Sequence, residues 1–452
     1  MAESGSDIAL VVLDALRKDA FDAHFSWMDG VRYENAWSTT HYSPAAHGSL
    51  FTGKYGSEIG VHAKSPTLDC DQPTLAELLR DSGYETHGFS ANTYISKYFD
   101  FDRGFDEFHS RTRVVGGNET AFNWPQFIKE NKDAGWRKYP RLMREIARSD
   151  AKLLSSIKNG AEIKLKDIGL IDDDNTYEDG REALNYIQAA SFASDHEFVF
   201  LNLMDAHGPY LAPPSYRTKE PERTLPPATF SDAEDDVDSE ALKTAYEDCV
   251  RYLSDIYAEI HEELLTEFDY VITLADHGEA FGEYGTWSHS DLSPQVTNVP
   301  LAISSEDGLE EFSPTGKPVN LHDVFQTVLD LAGVEPETST RGQSLRAARF
   351  DADRVAFLET HGLSNERLNG ILEEEHSQEI VDKYDKRLSA IATASGYVFE
   401  QFGETIESVG DPVPDAERRM QELAAGIDRR TDAEAVEVSD EVYEQLEELG
   451  YT

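Results

Sequence analysis

Cysteine is almost missing: Cys70 and Cys249 are the two in a chain of 452 residues. Neither belongs to a CxxC pair, which excludes a disulfide framework and a cysteine-built metal site, and a reduced, cytoplasmic setting is expected. No apolar run approaches the roughly 18 residues that a bilayer crossing needs, so no membrane span is expected. The opening stretch MAESGSDIALVVLD has no basic start and enters a strand almost at once, unlike a secretory leader. Positive charge is scarce as well: 40 Lys and Arg face 87 Asp and Glu, a formal net charge of −47. That balance repels phosphate backbones and excludes sequence-independent nucleic-acid binding. A surface so charged repels itself unless salt screens it, and we read it as adaptation to a salt-rich cytoplasm, as in halophiles. The 10% aromatic content and the periodic apolar segments exclude disorder as the origin of the charge.

What is present is a chain long enough for a large core and more than one domain. Ile8 to Leu13, IALVVL, is a continuous apolar run of the kind buried on both faces of a parallel sheet. Strands of the same character are predicted at Glu85 to Ser90, Glu197 to Leu203, Tyr270 to Leu274 and Pro300 to Ser304. Helical spacing lies between them, at Thr74 to Leu79, at about Ala241 to Leu265, and at Leu321 to Leu331. This alternation predicts an α/β fold with a doubly wound, mostly parallel sheet flanked by helices over residues 1–350. Residues 111–192 are polar and helical in pattern and are expected to form an insertion or lid. Beyond about Arg354 the pattern changes to strands at Val355 to Leu358 and Leu388 to Phe402, broken at Gly396, with a turn at Gly403-Glu404. With a polar helix at the end, residues 351–452 are expected to form a small α+β subdomain.

Three of the predicted strands end in polar residues: Asp14, then Asp205 with His207, then Asp276 with His277. An open α/β sheet gathers such strand ends at one edge, where ligands bind. Ser43 precedes Pro44, which suits the first position of a helix, so Ser43 is expected as the N-cap, beside bare backbone N–H groups and the positive end of a helix dipole. Carboxylates, an imidazole and a hydroxyl form a ligand set for one divalent ion, with calcium, manganese or zinc as candidates. Such an ion would activate Ser43 and hold an ester oxygen. His47, one helical turn after Ser43, is a candidate contact for the substrate's anionic oxygens, as are His207, His289 and Lys64. Asn92, just past a strand end, would add an amide donor at the same edge.

Collinear blocks in this chain resemble the sulfatase branch of the alkaline phosphatase superfamily over nearly its whole length. They are Asp14-Ala15-Leu16-Arg17-Lys18-Asp19, SLFTGKYGSEIGVH from Ser49 to His62, NTYIS with DRGFDEF between Asn92 and Phe108, and MDAHGPY from Met204 to Tyr210. ADHGEAFGEYG from Ala275 to Gly285, NVPLAIS from Asn298 to Ser304, LHDVFQTVLDLAGVEP from Leu321 to Pro336 and the closing LEELGYT follow in order. The resemblance implies Asp14, Asp276 and His277 as metal ligands with Ser43 as nucleophile. It places His47 where relatives keep an anion-contacting Arg or His, and gives His207 and His289 the substrate's oxygens or the leaving group. The chain departs from the C/S-x-P-x-R pattern that is oxidised to formylglycine, since its run is Ser43-Pro44-Ala45-Ala46-His47, and Ala15 stands where a second acid is usual. An unmodified hydroxyl is the habit of phosphoester-cleaving relatives, so the expected substrate is a small sulfate or phosphate ester, such as a sulfated or phosphorylated sugar. Transfer of a phospho-group to a sugar or lipid hydroxyl, or anion binding without turnover, are the alternative readings. A second ion would need Asp205, His207 and His289, whose Asp-x-His spacing differs from that of two-metal relatives, so one ion is expected.

Overall fold

The computed structural model describes residues 5–110, 178–220, 225 and 237–430, apart from 307, 315, 337, 347–349, 352, 365–367, 369–376 and 403–404. Most of the predicted insertion (111–177) and the predicted terminal helix lie outside the described residues. The main sheet contains, in chain order, β1 (Ile8–Leu13), β2 (Val31–Arg32), β3 (Glu85–Ser90), β4 (Glu107–Ser110), β5 (Glu197–Leu203), β6 (Tyr270–Leu274) and β7 (Leu301–Ser304). Its spatial order is β2-β7-β6-β1-β5-β3-β4. β7 runs antiparallel to both its neighbours, while β6, β1, β5, β3 and β4 are mutually parallel.

Every residue of β1 and of β5 is buried, which explains why both read as unbroken apolar runs: helices cover each face. The helices that matter for the site are α1 (Lys18–His24), α2 (Ser43–Thr52), α3 (Leu75–Asp81), α4 (Asp179–Ala189), α5 (Ser239–Glu267) and α6 (Leu321–Leu331). Thr74, predicted as the first helical residue of α3, is its N-cap: its Oγ1 accepts from Glu77 N, and the Glu77 carboxylate accepts in return from Thr74 N. Helix α2 is buried along its whole length. It stops at Gly53, whose φ of 65° lies in the left-handed region, and a Cβ there would stand 2.7 Å from Phe325 Cδ1 of α6. Beneath α2, Phe51 meets Phe200 of β5 edge-on at 4.9 Å between ring centroids, which fixes the helix over the sheet.

A second, antiparallel sheet follows in the order β8 (Ala356–His361), β9 (Arg387–Ala392), β10 (Gly396–Gln401) and β11 (Thr405–Gly410). Gln401 pairs with Thr405, so β10 and β11 form the expected hairpin around 403–404. Gly396 opens β10 rather than interrupting one long strand. This sheet is anchored on the main body: Trp37 stacks on Tyr397 at 4.1 Å, and Tyr397 Oη donates to Leu292 O at 2.7 Å. Glu359 N of β8 donates to Thr39 O at 3.0 Å, four residues before Ser43.

Candidate active site

Parallel pairing of β1 with β6 aligns Val12 with Leu274, so the residues that follow, Asp14 and Asp276, emerge side by side from the sheet edge. The chain turns there through Ala15, whose φ of 59° is uncommon for a residue with a Cβ. Tyr246 of α5 holds that turn, its Oη donating to Ala15 O (3.1 Å) and accepting from Arg17 N (2.9 Å).

Asp14 Oδ2 accepts from Asn92 Nδ2 at 2.8 Å, and Asp276 Oδ1 accepts from His277 N at 2.9 Å. The other oxygen of each carboxylate, Asp14 Oδ1 and Asp276 Oδ2, is buried with no hydrogen-bond partner. Between them stands His277, whose Nδ1–H donates to Gly278 O at 3.0 Å, leaving Nε2 as an acceptor. Nε2 lies 3.8 Å from Asp14 Oδ1, 3.6 Å from Asp276 Oδ2 and 2.9 Å from Ser43 Oγ. Ser43 is the first residue of α2, with Tyr42 as N-cap, so the helix starts one position earlier than the sequence predicts. The hydroxyl is therefore not used for capping, and it turns into the cluster at the helix N-terminus.

Two orphaned carboxylate oxygens, an imidazole lone pair and a hydroxyl, all buried and convergent, fit one divalent cation; the three charged or imidazole donors lie within 4.8 Å of one another. The electrostatics agree. Burial raises the Asp14 pKa to about 7, helped by the neighbouring Asp276 charge. For Asp276 burial also acts upward, but the facing edges of His277 and His47 together with hydrogen bonds from Ser43 and the His277 N–H outweigh it and its pKa is lowered. A cation between the two would remove the repulsion.

The other predicted residues take more varied positions. His47 is fully buried beneath Ser43, with Nδ1 donating to Ser43 O (2.9 Å) and Nε2 accepting from Asn202 Nδ2 (3.1 Å). Burial first of all lowers its pKa and keeps it neutral, so it braces the start of α2 rather than facing the substrate's oxygens as the sequence predicts. Asn92, expected to touch substrate, orients Asp14 instead. Lys64 is not brought into the cluster: its Nζ pairs with Asp385 at 2.8 Å, the nearest carboxylate of a strongly acidic chain. His207 and His289 do converge, their rings 5.3 Å apart and 6.3 and 4.2 Å from the ring of His277. Asp205 Oδ2 accepts from Gly180 N at 2.9 Å near the start of α4, and among the described residues Asp205, His207 and His289 do not bring three donor atoms within 4.8 Å of one another as a second ion would need.

Sequence reasoning misses Asn202, whose signal is a lone amide inside the apolar strand EFVFLNL, and His41, which pairs with the Thr360 hydroxyl of β8 and with His289 O at 2.7 Å. The cleft beside His289 is walled by His41, Tyr42, Tyr94 and by Leu363, Lys386 and Phe402 from the C-terminal part. Thr360 of β8 and the segments flanking the second sheet thus wall this cleft although no motif in them announced it.

A family model for sulfatases matches residues 20–334. The chain is 22% identical over 373 residues to the uncharacterized sulfatase YidJ of Escherichia coli K12, covering 76% of this chain and 69% of that protein. In fold it is similar to the phosphonate monoester hydrolase SpPMH of Silicibacter pomeroyi, with a TM-score of 0.63 and 17% identity over 93% of this chain and 94% of that one. It is also similar to BT4656, solved in complex with its substrate D-glucosamine-2-N,6-O-disulfate, with a TM-score of 0.55 and 13% identity over 99% and 98% of the two chains. With a match over most of its length and a site of this composition at the edge of an α/β sheet, the chain belongs to the sulfatase family.

Proposed function

We propose that the protein is a metal-dependent hydrolase of small sulfate or phosphate-type esters that acts through a covalent intermediate on Ser43. One observation carries the reading: Ser43 Oγ stands 2.9 Å from His277 Nε2, inside the cluster made by the orphaned oxygens of Asp14 and Asp276. Asp14, Asp276, His277 and Ser43 would hold one divalent ion, calcium, manganese or zinc; when bound it would lower the hydroxyl pKa and neutralise an anionic ester oxygen. The helix N-terminus adds N–H groups and a positive dipole end on the same side. Ser43 gives up its hydroxyl proton to solvent, its Oγ bonds to the sulfur or phosphorus as the bond from that atom to the ester oxygen breaks, and a protonated His207 or His289 gives its proton to the departing alcohol oxygen. Water then releases the acid from Ser43.

The reading of the substrate class is supported by two proteins of similar fold, a phosphonate monoester hydrolase and one solved with a sugar disulfate as substrate. The hydroxyl at Ser43 lies outside the formylglycine pattern and favours the phosphorus ester. The test is a panel of aryl sulfate, phosphate monoester, phosphodiester and phosphonate monoester at high salt with added manganese, zinc or calcium, together with mass spectrometry of the Ser43 peptide. Ser43→Ala is expected to abolish turnover and to weaken metal affinity only moderately. Turnover retained in that variant, or metal bound by the native protein with no turnover on any ester, overturns the reading; the second result leaves an anion-binding protein.

A further inference from the structure

At the opposite edge of the sheet, strands β3, β4 and β5 begin with carboxylates. Glu85 of β3 is in register with Glu197 of β5, and His87 of β3 with Glu107 of β4. Side chains alternate along a strand, so Glu85, His87, Glu197 and Glu107 share one face. His87 Nε2 lies 3.2 Å from Glu197 Oε2 and 3.9 Å from Glu85 Oε1. Ser194 holds the far oxygens of both carboxylates: its N–H donates to Glu197 Oε1 at 2.8 Å and its hydroxyl to Glu85 Oε2. The near oxygens are left facing the imidazole. His87 itself is 4% exposed, and its Nδ1 has no hydrogen-bond partner, the closest acid being Glu107 Oε2 at 3.7 Å. Among the described residues, no Lys or Arg pairs with these three glutamates; His109 Nε2 takes Glu107 Oε1 at 2.8 Å, and Glu85 and Glu197 share the His87 imidazole in a chain already at −47.

We propose that Glu85, Glu197 and His87 Nε2 form a second divalent-cation site of the zinc type, separate from the Ser43 cluster. Tetrahedral zinc with ligands at about 2.0–2.1 Å spaces its donors by roughly 3.3 Å; the Glu197 separation matches this, Glu85 would close by about 0.6 Å, and all three donors lie within 4.8 Å of one another. Zinc-bound histidines commonly have a carboxylate at the other ring nitrogen, and Glu107 Oε2 stands 3.7 Å from His87 Nδ1, where a small shift would let it accept that proton. The ion would tie the starts of β5 and β3 together, with β4 attached through Glu107, and act as a structural staple. This inference does not depend on the ester-hydrolase reading.

The experiment measures zinc uptake by the full chain carrying Asp276→Asn, which removes a donor from the Ser43 cluster, with excess calcium to occupy exposed carboxylates. One zinc per chain and a zinc-dependent rise in melting temperature are expected. Both should be lost with Glu85→Gln, a half-exposed position that leaves the fold intact, and with His87→Gln. Glu107→Gln should weaken zinc by about tenfold. In the otherwise native chain Glu85→Gln should lower zinc stoichiometry by one and leave turnover unchanged. No zinc uptake by folded Asp276→Asn protein, or uptake that Glu85→Gln leaves intact, overturns the proposal.

Discussion

Asn92 and Asn202 act on the candidate site without facing its open side: one orients Asp14, the other fixes the tautomer of His47, and both remove ways for buried groups to rearrange. The strain they help contain is electrostatic. Because the Asp14 pKa in the folded chain is raised from 3.8 to about 7, its contribution to stability of the metal-free protein is lost as pH rises through that window. Asp14→Asn is therefore expected to raise the melting temperature of chelated protein at pH 8 while eliminating turnover, as read by calorimetry and ester assay. Glu359 behaves oppositely. Burial pushes its pKa up, but the His361 ring at 3.4 Å, the Ser57 hydroxyl and Arg429 at 2.9 Å outweigh this and lower it from 4.5 to about 2. Its stabilisation is fully present above pH 4.5 and lost as pH falls towards 2, a difference of about 3 kcal/mol. Glu359→Gln should flatten that acid limb of a denaturation series, and an unchanged limb would assign it to other carboxylates.

The elements are set by short signals at their ends. The Thr74–Glu77 capping box starts α3, and Thr74 Oγ1 also donates to Arg103 O at 2.9 Å, joining the helix to the turn before β4. Thr74→Ala is expected to cost about 1 kcal/mol in urea unfolding. Strands β3, β5 and β6 and helix α6 were legible to the residue, because apolar runs and helical periodicity follow directly from burial on two faces or one. The start of α2 was displaced by one position: Ser before Pro satisfies the N-cap preference locally, yet His277, 234 residues away, draws the hydroxyl into the site. The partners of His47 and Asn92 were not legible for a similar reason. Their chemistry suits an anion contact, but burial beneath Ser43 and Asp14 turns both towards protein partners.

For the whole molecule, the charge of −47 opposes the compact state at every ionic strength, and screening weakens that opposition. Thermal melting followed from about 0.1 to 3 M potassium chloride should show a melting temperature that rises throughout, most steeply at the low end where the Debye length changes most. A melting temperature independent of salt would assign the acidic excess another purpose. The second sheet belongs to this scale too. It presses β8 against the Thr39 segment, and its flanking segments line the cleft with Leu363, Lys386 and Phe402, so perturbing it should alter how substrates bind as well as stability.

The sequence by itself determined the α/β alternation, the family and the strand-end cluster of Asp14, Asp276 and His277, because these depend on local periodicity and on residues placed next to strand ends. Only the tertiary structure decided which of the remaining polar groups meet. Asp205 Oδ2 accepts from the start of α4, Lys64 pairs with Asp385, and the rings of His207 and His289 gather beside that of His277. Such choices depend on distances of a few ångströms between segments hundreds of residues apart, and no spacing along the chain encodes them.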